Sequence, residues 1–198
     1  MLVIRSDVHT AHHCLELDGA ELIDSWESPA RAEHVDAAVD AAVGLEVIGP
    51  DGFDRAAAEA VHDPDYVAFL STAWDRWTDE GNTTPAAMAF GWPARRFRDI
   101  RPHNLEAQLG YYSFAADCSI AAGTWVAVAE SAAIAQTATD RVLAGERVAF
   151  ARCRPPMKLW SWTNTENANS LAWLSSAELI TRFTTAAIRC SLMVWLRH

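Results

Sequence analysis

Short apolar runs and longer polar or helical-period stretches alternate along most of this chain. Leu2-Val3-Ile4 is apolar and stops at Arg5-Ser6-Asp7, which predicts a buried first strand. Residues 8–27 are polar, hold three histidines and keep no sustained period, so they read as a long loop, a feature usually tied to function in compact domains. Pro29 opens a predicted helix striped by Val35, Ala38, Val39 and Ala42, and Gly44 ends it. Leu45–Ile48 predicts a second strand, closed by Gly49-Pro50-Asp51-Gly52, and a short helix follows over residues 54–61. Asp63-Pro64 is a helix start, with Asp as the cap and Pro at the first helical position. From there Tyr66, Phe69, Leu70, Ala73 and Trp77 fall on one face until Gly81. Residues 82–103 carry three prolines and little periodicity, predicting a second long loop; helices are expected at 104–118 and 123–144, and Val148–Ala151 as a third buried strand.

Strands alternating with helices imply an α/β architecture with a largely parallel sheet covered on both faces. Ligands of such sheets bind beyond the carboxyl ends of the strands, and the Arg152–Pro156 turn lies at one of these ends.

The rhythm breaks at Met157. Residues 157–198 contain no Asp, Gly or Pro, whereas residues 1–156 hold 14 Asp and all nine Gly and eight Pro. Four of the nine Trp lie in that last fifth. Leu171, Leu174, Ala177, Ile180, Phe183, Ala187 and Cys190 approximate a helical stripe over 170–190, but no further strand and glycine turn follows.

Charge divides at the same place. Residues 1–156 carry 12 Lys+Arg against 24 Asp+Glu and residues 157–198 carry 4 against 2, so the overall −10 is the sum of −12 and +2. An acidic body argues against a nucleic-acid partner, which needs a basic footprint, and is compatible with a cationic small molecule, although a negative surface is more often a solubility device. No run approaches the roughly 18 apolar residues of a membrane span. With Arg5 and Asp7 so close to Met1 no signal peptide is expected, which makes cytoplasm the default and free thiols the expected state of Cys14, Cys118, Cys153 and Cys190.

Several segments taken together resemble a known family. They are Pro29-Ala30-Arg31-Ala32-Glu33, Val61-His62-Asp63-Pro64-Asp65-Tyr66-Val67-Ala68-Phe69-Leu70, Thr72-Ala73-Trp74-Asp75-Arg76-Trp77, Gly110-Tyr111-Tyr112, Gly123-Thr124-Trp125 and Phe150 through Pro156. In this order and spacing they resemble the N-terminal half of the histone deacetylase superfamily, most closely its acetylpolyamine amidohydrolases, and they cover essentially all of residues 1–156. The resemblance implies an incomplete arginase/deacetylase-type three-layer α/β fold with a mostly parallel sheet. It also implies a zinc-dependent hydrolase that removes an acetyl group from a cationic acetylated small amine, with no nucleic acid or membrane partner and with a homo-oligomer left open.

What the resemblance requires next is absent. In the family the Arg-Pro-Pro turn leads into Gly-His-His-Ala, whose neutral imidazoles act as general base and acid. Here those positions are Met157, Lys158, Leu159 and Trp160. The family then supplies Asp-x-His and a distant Asp for zinc and a Tyr for the carbonyl. After Asp140 this chain has no Asp, its one later His is His198, and its tail has no Tyr. The expectation is a truncated, catalytically incompetent member, with no catalytic residue, no metal ligand and no cofactor of its own, and with residues 157–198 as an unrelated, frame-shifted tail. The alternative is an inactive relative that binds or oligomerises through the 170–190 helix.

Two carboxylates remain as substrate-binding candidates by resemblance. Glu16 lies in the first long loop and Glu106 in the segment before Gly-Tyr-Tyr, where polyamine-specific enzymes place acids facing the substrate cation. The bland reading of both is ordinary surface acids. His9, His12 and His13 form an H-x-x-H-H cluster read as structural, His62 reads as a capping or packing residue, and Trp74, Trp77 and Trp125 as core.

Overall fold

A computed structural model describes residues 1–25, 28–93, 100–113, 116 and 119–153. The tail 157–198 with its 170–190 stripe, residues 154–156 of the Arg152–Pro156 turn, Cys118 and Cys190 lie outside the described residues.

The three apolar runs form three short strands: β1 (Leu2–Ile4), β4 (Glu46–Ile48) and β5 (Ala149–Ala151). They make one parallel sheet in the order β4-β1-β5, with Val3 opposite Val47 on one side and Phe150 on the other. Alternation along each strand sorts the side chains by face. Leu2, Ile4, Ala149, Ala151 and Cys153 pack on Ile134, Ala135 and Ala138 of α5 (Thr124–Leu143). Alanine on both sides of that contact lets the helix lie close to the sheet. On the opposite face Val3 is buried, Phe150 is half-buried and Val47 is 43% exposed.

Residues read as a featureless loop contain structure. A 3₁₀ turn (Val8–Ala11) is followed by β2 (Leu15–Asp18) and β3 (Glu21–Asp24), an antiparallel hairpin in which Glu16 pairs with Ile23 and Leu17 with Leu22. Gly19, at φ +62, turns the chain in the left-handed region that glycine enters without strain.

Helix α1 (Ala30–Ala41) forms where expected but does not bury the predicted stripe. Val35, Ala38 and Ala42 are exposed and Ala32 is buried instead. Its anchors are polar: Asp36 and Asp40 reach Arg5, and Asp36 reaches Arg152. Ion pairing at the end of the sheet overrides the weak apolar preference of an alanine-rich helix.

The second core follows the sequence reading. α2 (Arg55–Glu59) is capped by Asp54, and α3 (Pro64–Asp79) by Asp63, whose carboxylate accepts from the Asp65 amide. Tyr66, Phe69, Leu70, Ala73 and Trp77 are buried as expected, against Leu105, Leu109 and Tyr112 of α4 (Leu105–Tyr112), with Trp74 and Trp125 partly buried beside them. Phe69 stacks on Tyr112 at 4.6 Å, and His62 packs its ring on Tyr66 at 5.9 Å. Helix α4 ends at Tyr112, short of the expected 118, because Ser113 turns to extended backbone. Gly110 is required there: a Cβ would lie 1.7 Å from the Gly91 carbonyl oxygen of the adjoining loop.

Phe69→Ala is expected to remove about 3–5 kcal/mol of stability by opening a cavity against Tyr112. Urea unfolding followed by tryptophan fluorescence checks it, and Val43→Ala, at a position 98% exposed, is expected to leave the midpoint unchanged.

Candidate functional site

The carboxyl ends of β1 and β5 meet at a buried arginine. Sheet pairing runs one residue past both strands, with the Arg152 amide donating to the Ile4 carbonyl at 3.0 Å. This brings the Arg152 side chain, 4% exposed, under the loop that follows β1. A buried guanidinium is tolerated only when its donors are used. Arg152 Nε donates to Asp36 Oδ1 at 2.8 Å, Nη2 donates to the Ser6 carbonyl at 2.6 Å, and Nη1 lies 2.8 Å from His9 Nδ1. His9 Nδ1 also lies 3.1 Å from the Ser6 carbonyl, so the guanidinium, the imidazole and that carbonyl close on one another. Arg5, beside it, donates to Asp40 at 2.7 Å, and that hydrogen bond raises the guanidinium above its ordinary range.

The 3₁₀ turn then seats on the start of α5. A Cβ on Gly123 would stand 1.8 Å from the Ala11 carbonyl oxygen, so only glycine permits the approach. His12 is fully buried. The Thr124 hydroxyl accepts from the Ala121 amide at 2.8 Å and shares a hydrogen bond of 2.9 Å with His12 Nδ1. His9 and His12 are therefore framework residues, while His13 is exposed. Among the described residues no three His, Cys, Asp or Glu come together to hold a metal ion.

The two candidate carboxylates stand on different elements and share no hydrogen-bond partner among the described residues. Glu16 is half-buried on β2. Its neighbour Leu15 is clamped by Ser119, whose hydroxyl accepts from the Leu15 amide at 2.9 Å and donates to the Leu15 carbonyl at 2.8 Å. The Ser25 hydroxyl donates to Glu16 Oε1. Glu106 is exposed in the first turn of α4, behind the cap Asn104, where a negative charge also suits the helix dipole. Arg76, Gln108 and the Pro102 carbonyl fix that helix start through hydrogen bonds of 2.7 and 2.8 Å.

Cys14 and Cys153 are buried thiols outside any disulfide. Burial pushes the Cys153 thiol up to about 12, with Arg152 pulling weakly the other way. Ser25 and Ser119 escaped the sequence reading, which placed Arg152 at a strand end without giving it partners. The one available signal was a charged residue closing the apolar run 148–151.

Arg152→Met is expected to cost about 3–5 kcal/mol, because it breaks a buried charge network and leaves Asp36 with Arg5 alone, at 3.6 Å; chemical denaturation measures it. The pH dependence at Cys153 has a definite sign. The native state keeps the thiol neutral while the unfolded thiol ionises near its ordinary value of 9.0. Stability from this group is complete below pH 9 and falls as pH rises toward 12, so Cys153→Ala should flatten the alkaline limb of a stability–pH curve.

The chain is 40% identical over 158 residues to acetylpolyamine amidohydrolase 2 of Pseudomonas aeruginosa, covering 79% of the chain and 45% of that protein. It is 41% identical over 157 residues to acetylpolyamine amidohydrolase of Mycoplana ramosa, covering 79% and 46%. The crystal structure of acetylpolyamine aminohydrolase from Burkholderia pseudomallei superposes with a TM-score of 0.68 at 29% identity, over 78% of this chain and 45% of that one. The HDA15 HD domain, at 15% identity and a TM-score of 0.55 over 94% of this chain and 44% of that one, shares the fold. No protein-family model matches. The chain spans less than half the length of these relatives, and its α/β fold with a parallel sheet is of the arginase/deacetylase type. Over 79% of its length the chain is similar to the acetylpolyamine amidohydrolases, and the share of those proteins that it covers fits their N-terminal half.

Proposed function

We propose that residues 1–156 are the substrate-selecting half of a zinc-dependent deacetylase acting on an acetylated polyamine or similar amine. As written, the chain does not carry the chemistry itself. The observation that supports this reading is the 40–41% identity over 79% of the chain, an extent equal to the segment before the break at Met157. Beyond the break, Met157, Lys158, Leu159 and Trp160 stand where the family has Gly-His-His-Ala.

The described residues do not fit zinc. His9 Nδ1 faces Arg152, His12 Nδ1 faces Thr124, and Asp36 is taken by Arg152 and Arg5. No metal-dependent step is assigned to this chain. Its own contribution is selection: Glu16 and Glu106 offer carboxylates to a polyammonium, and a body of charge −12 attracts cations from a distance. Residues 157–198 are read as the product of a shifted frame.

Resequencing the coding DNA over codons 145–198 and translating all frames beyond codon 156 tests the reading. Gly-His-His-Ala followed by Asp-x-His is expected in another frame; its absence from every frame overturns the frame-shift reading. With zinc and N-acetylputrescine, the 198-residue chain is expected to release no acetate above a protein-free control. Turnover would overturn its assignment as incompetent.

A further inference from the structure

We infer that Ser25 is a positioning residue for Glu16, setting the carboxylate that faces the substrate cation. The inference rests on the proposed role of Glu16. Glu16 sits on a two-stranded hairpin, which alone is marginal in water, and a flexible glutamate on a marginal element would select poorly. Two hydroxyls correct this. Ser119, fully buried, holds the backbone at Leu15 through both its amide and its carbonyl. Ser25, 8% exposed, holds the side chain.

Ser25 is itself fixed, because its amide donates to the Cys14 carbonyl at 3.2 Å, continuing the hairpin past β3. From there its hydroxyl donates to Glu16 Oε1. A neutral donor on a carboxylate forms a strong bond without cancelling the charge. Oε2 makes no hydrogen bond among the described residues, so the negative charge stays open to an ammonium group. A cation then meets a carboxylate whose rotamer is already chosen, and the ordering cost of binding falls. A lysine or arginine at position 25 would neutralise the site; a serine orients it and leaves it anionic.

The test titrates the 198-residue chain with N-acetylputrescine by calorimetry at low salt. Thermal unfolding of each variant confirms that it folds. Glu16→Gln is expected to weaken binding about tenfold. Ser25→Ala should weaken it about two- to tenfold, and Ser25→Thr, which keeps the hydroxyl, should restore it. In the Glu16→Gln background Ser25→Ala should add nothing. An equal further loss in that background overturns the inference, since Ser25 would then act on the hairpin and not through Glu16. Loss in Glu16→Gln with none in Ser25→Ala also overturns the inference and leaves the role of Glu16 standing. No effect of Glu16→Gln, or no binding by the unmodified chain, overturns that role and the inference with it.

Discussion

The fold turns on the burial of one guanidinium. Arg152 ties together the end of β5, the loop after β1, the 3₁₀ turn and α1, through Asp36, the Ser6 carbonyl and His9. A parallel sheet of three short strands gives little by itself, and its α5 side is largely alanine. What fixes the layout beyond the strand ends is a buried charge that must find acceptors or be expelled. Such an interaction contributes more to uniqueness than to net stability, since few arrangements of these segments bring three polar partners to one arginine. The same charge acts on Cys153 next to it, where the loss of water outweighs the arginine's pull.

Legibility from the sequence followed the physics of each element. The strands at residues 2–4, 46–48 and 149–151 announced themselves as apolar runs bounded by polar residues. Helix α3 announced itself through Asp63-Pro64 and a five-residue stripe, and every member of that stripe is buried. The hairpin was overlooked although its signals were present: Leu15-Glu16-Leu17-Asp18 and Glu21-Leu22-Ile23-Asp24 flank Gly19-Ala20. Its acids masked the two-residue period, because the hairpin faces are only half apolar. Helix α1 misled in the other direction, since its valines and alanines suggested a core face while its aspartates carry the anchoring.

The candidate site was legible only where chemistry lies in single side chains. Glu16 and Glu106 could be singled out by type and place, but no pattern reveals that the Ser25 hydroxyl reaches Glu16 or that Ser119 grips Leu15. Ser119 stands 104 residues from Leu15, and Ser25 meets Glu16 only through the hairpin, so neither contact leaves a periodic trace. Gly110 and Gly123 belong to the same class: each stood in a segment that carried the family resemblance, and the reason lies in a carbonyl from a remote loop.

The Ser119–Leu15 clamp spans 104 residues, and the Arg152–Ser6 contact spans 146. A chain made from its N-terminus exposes the hairpin long before the serine that grips it exists. The first strand likewise waits for β5, its neighbour in the sheet. Contacts of such separation are slow to form and leave early segments uncovered in the interval. Every partner named in these networks lies at or before Cys153. A ribosome passing from Pro156 to Met157 has therefore already delivered each of these named partners.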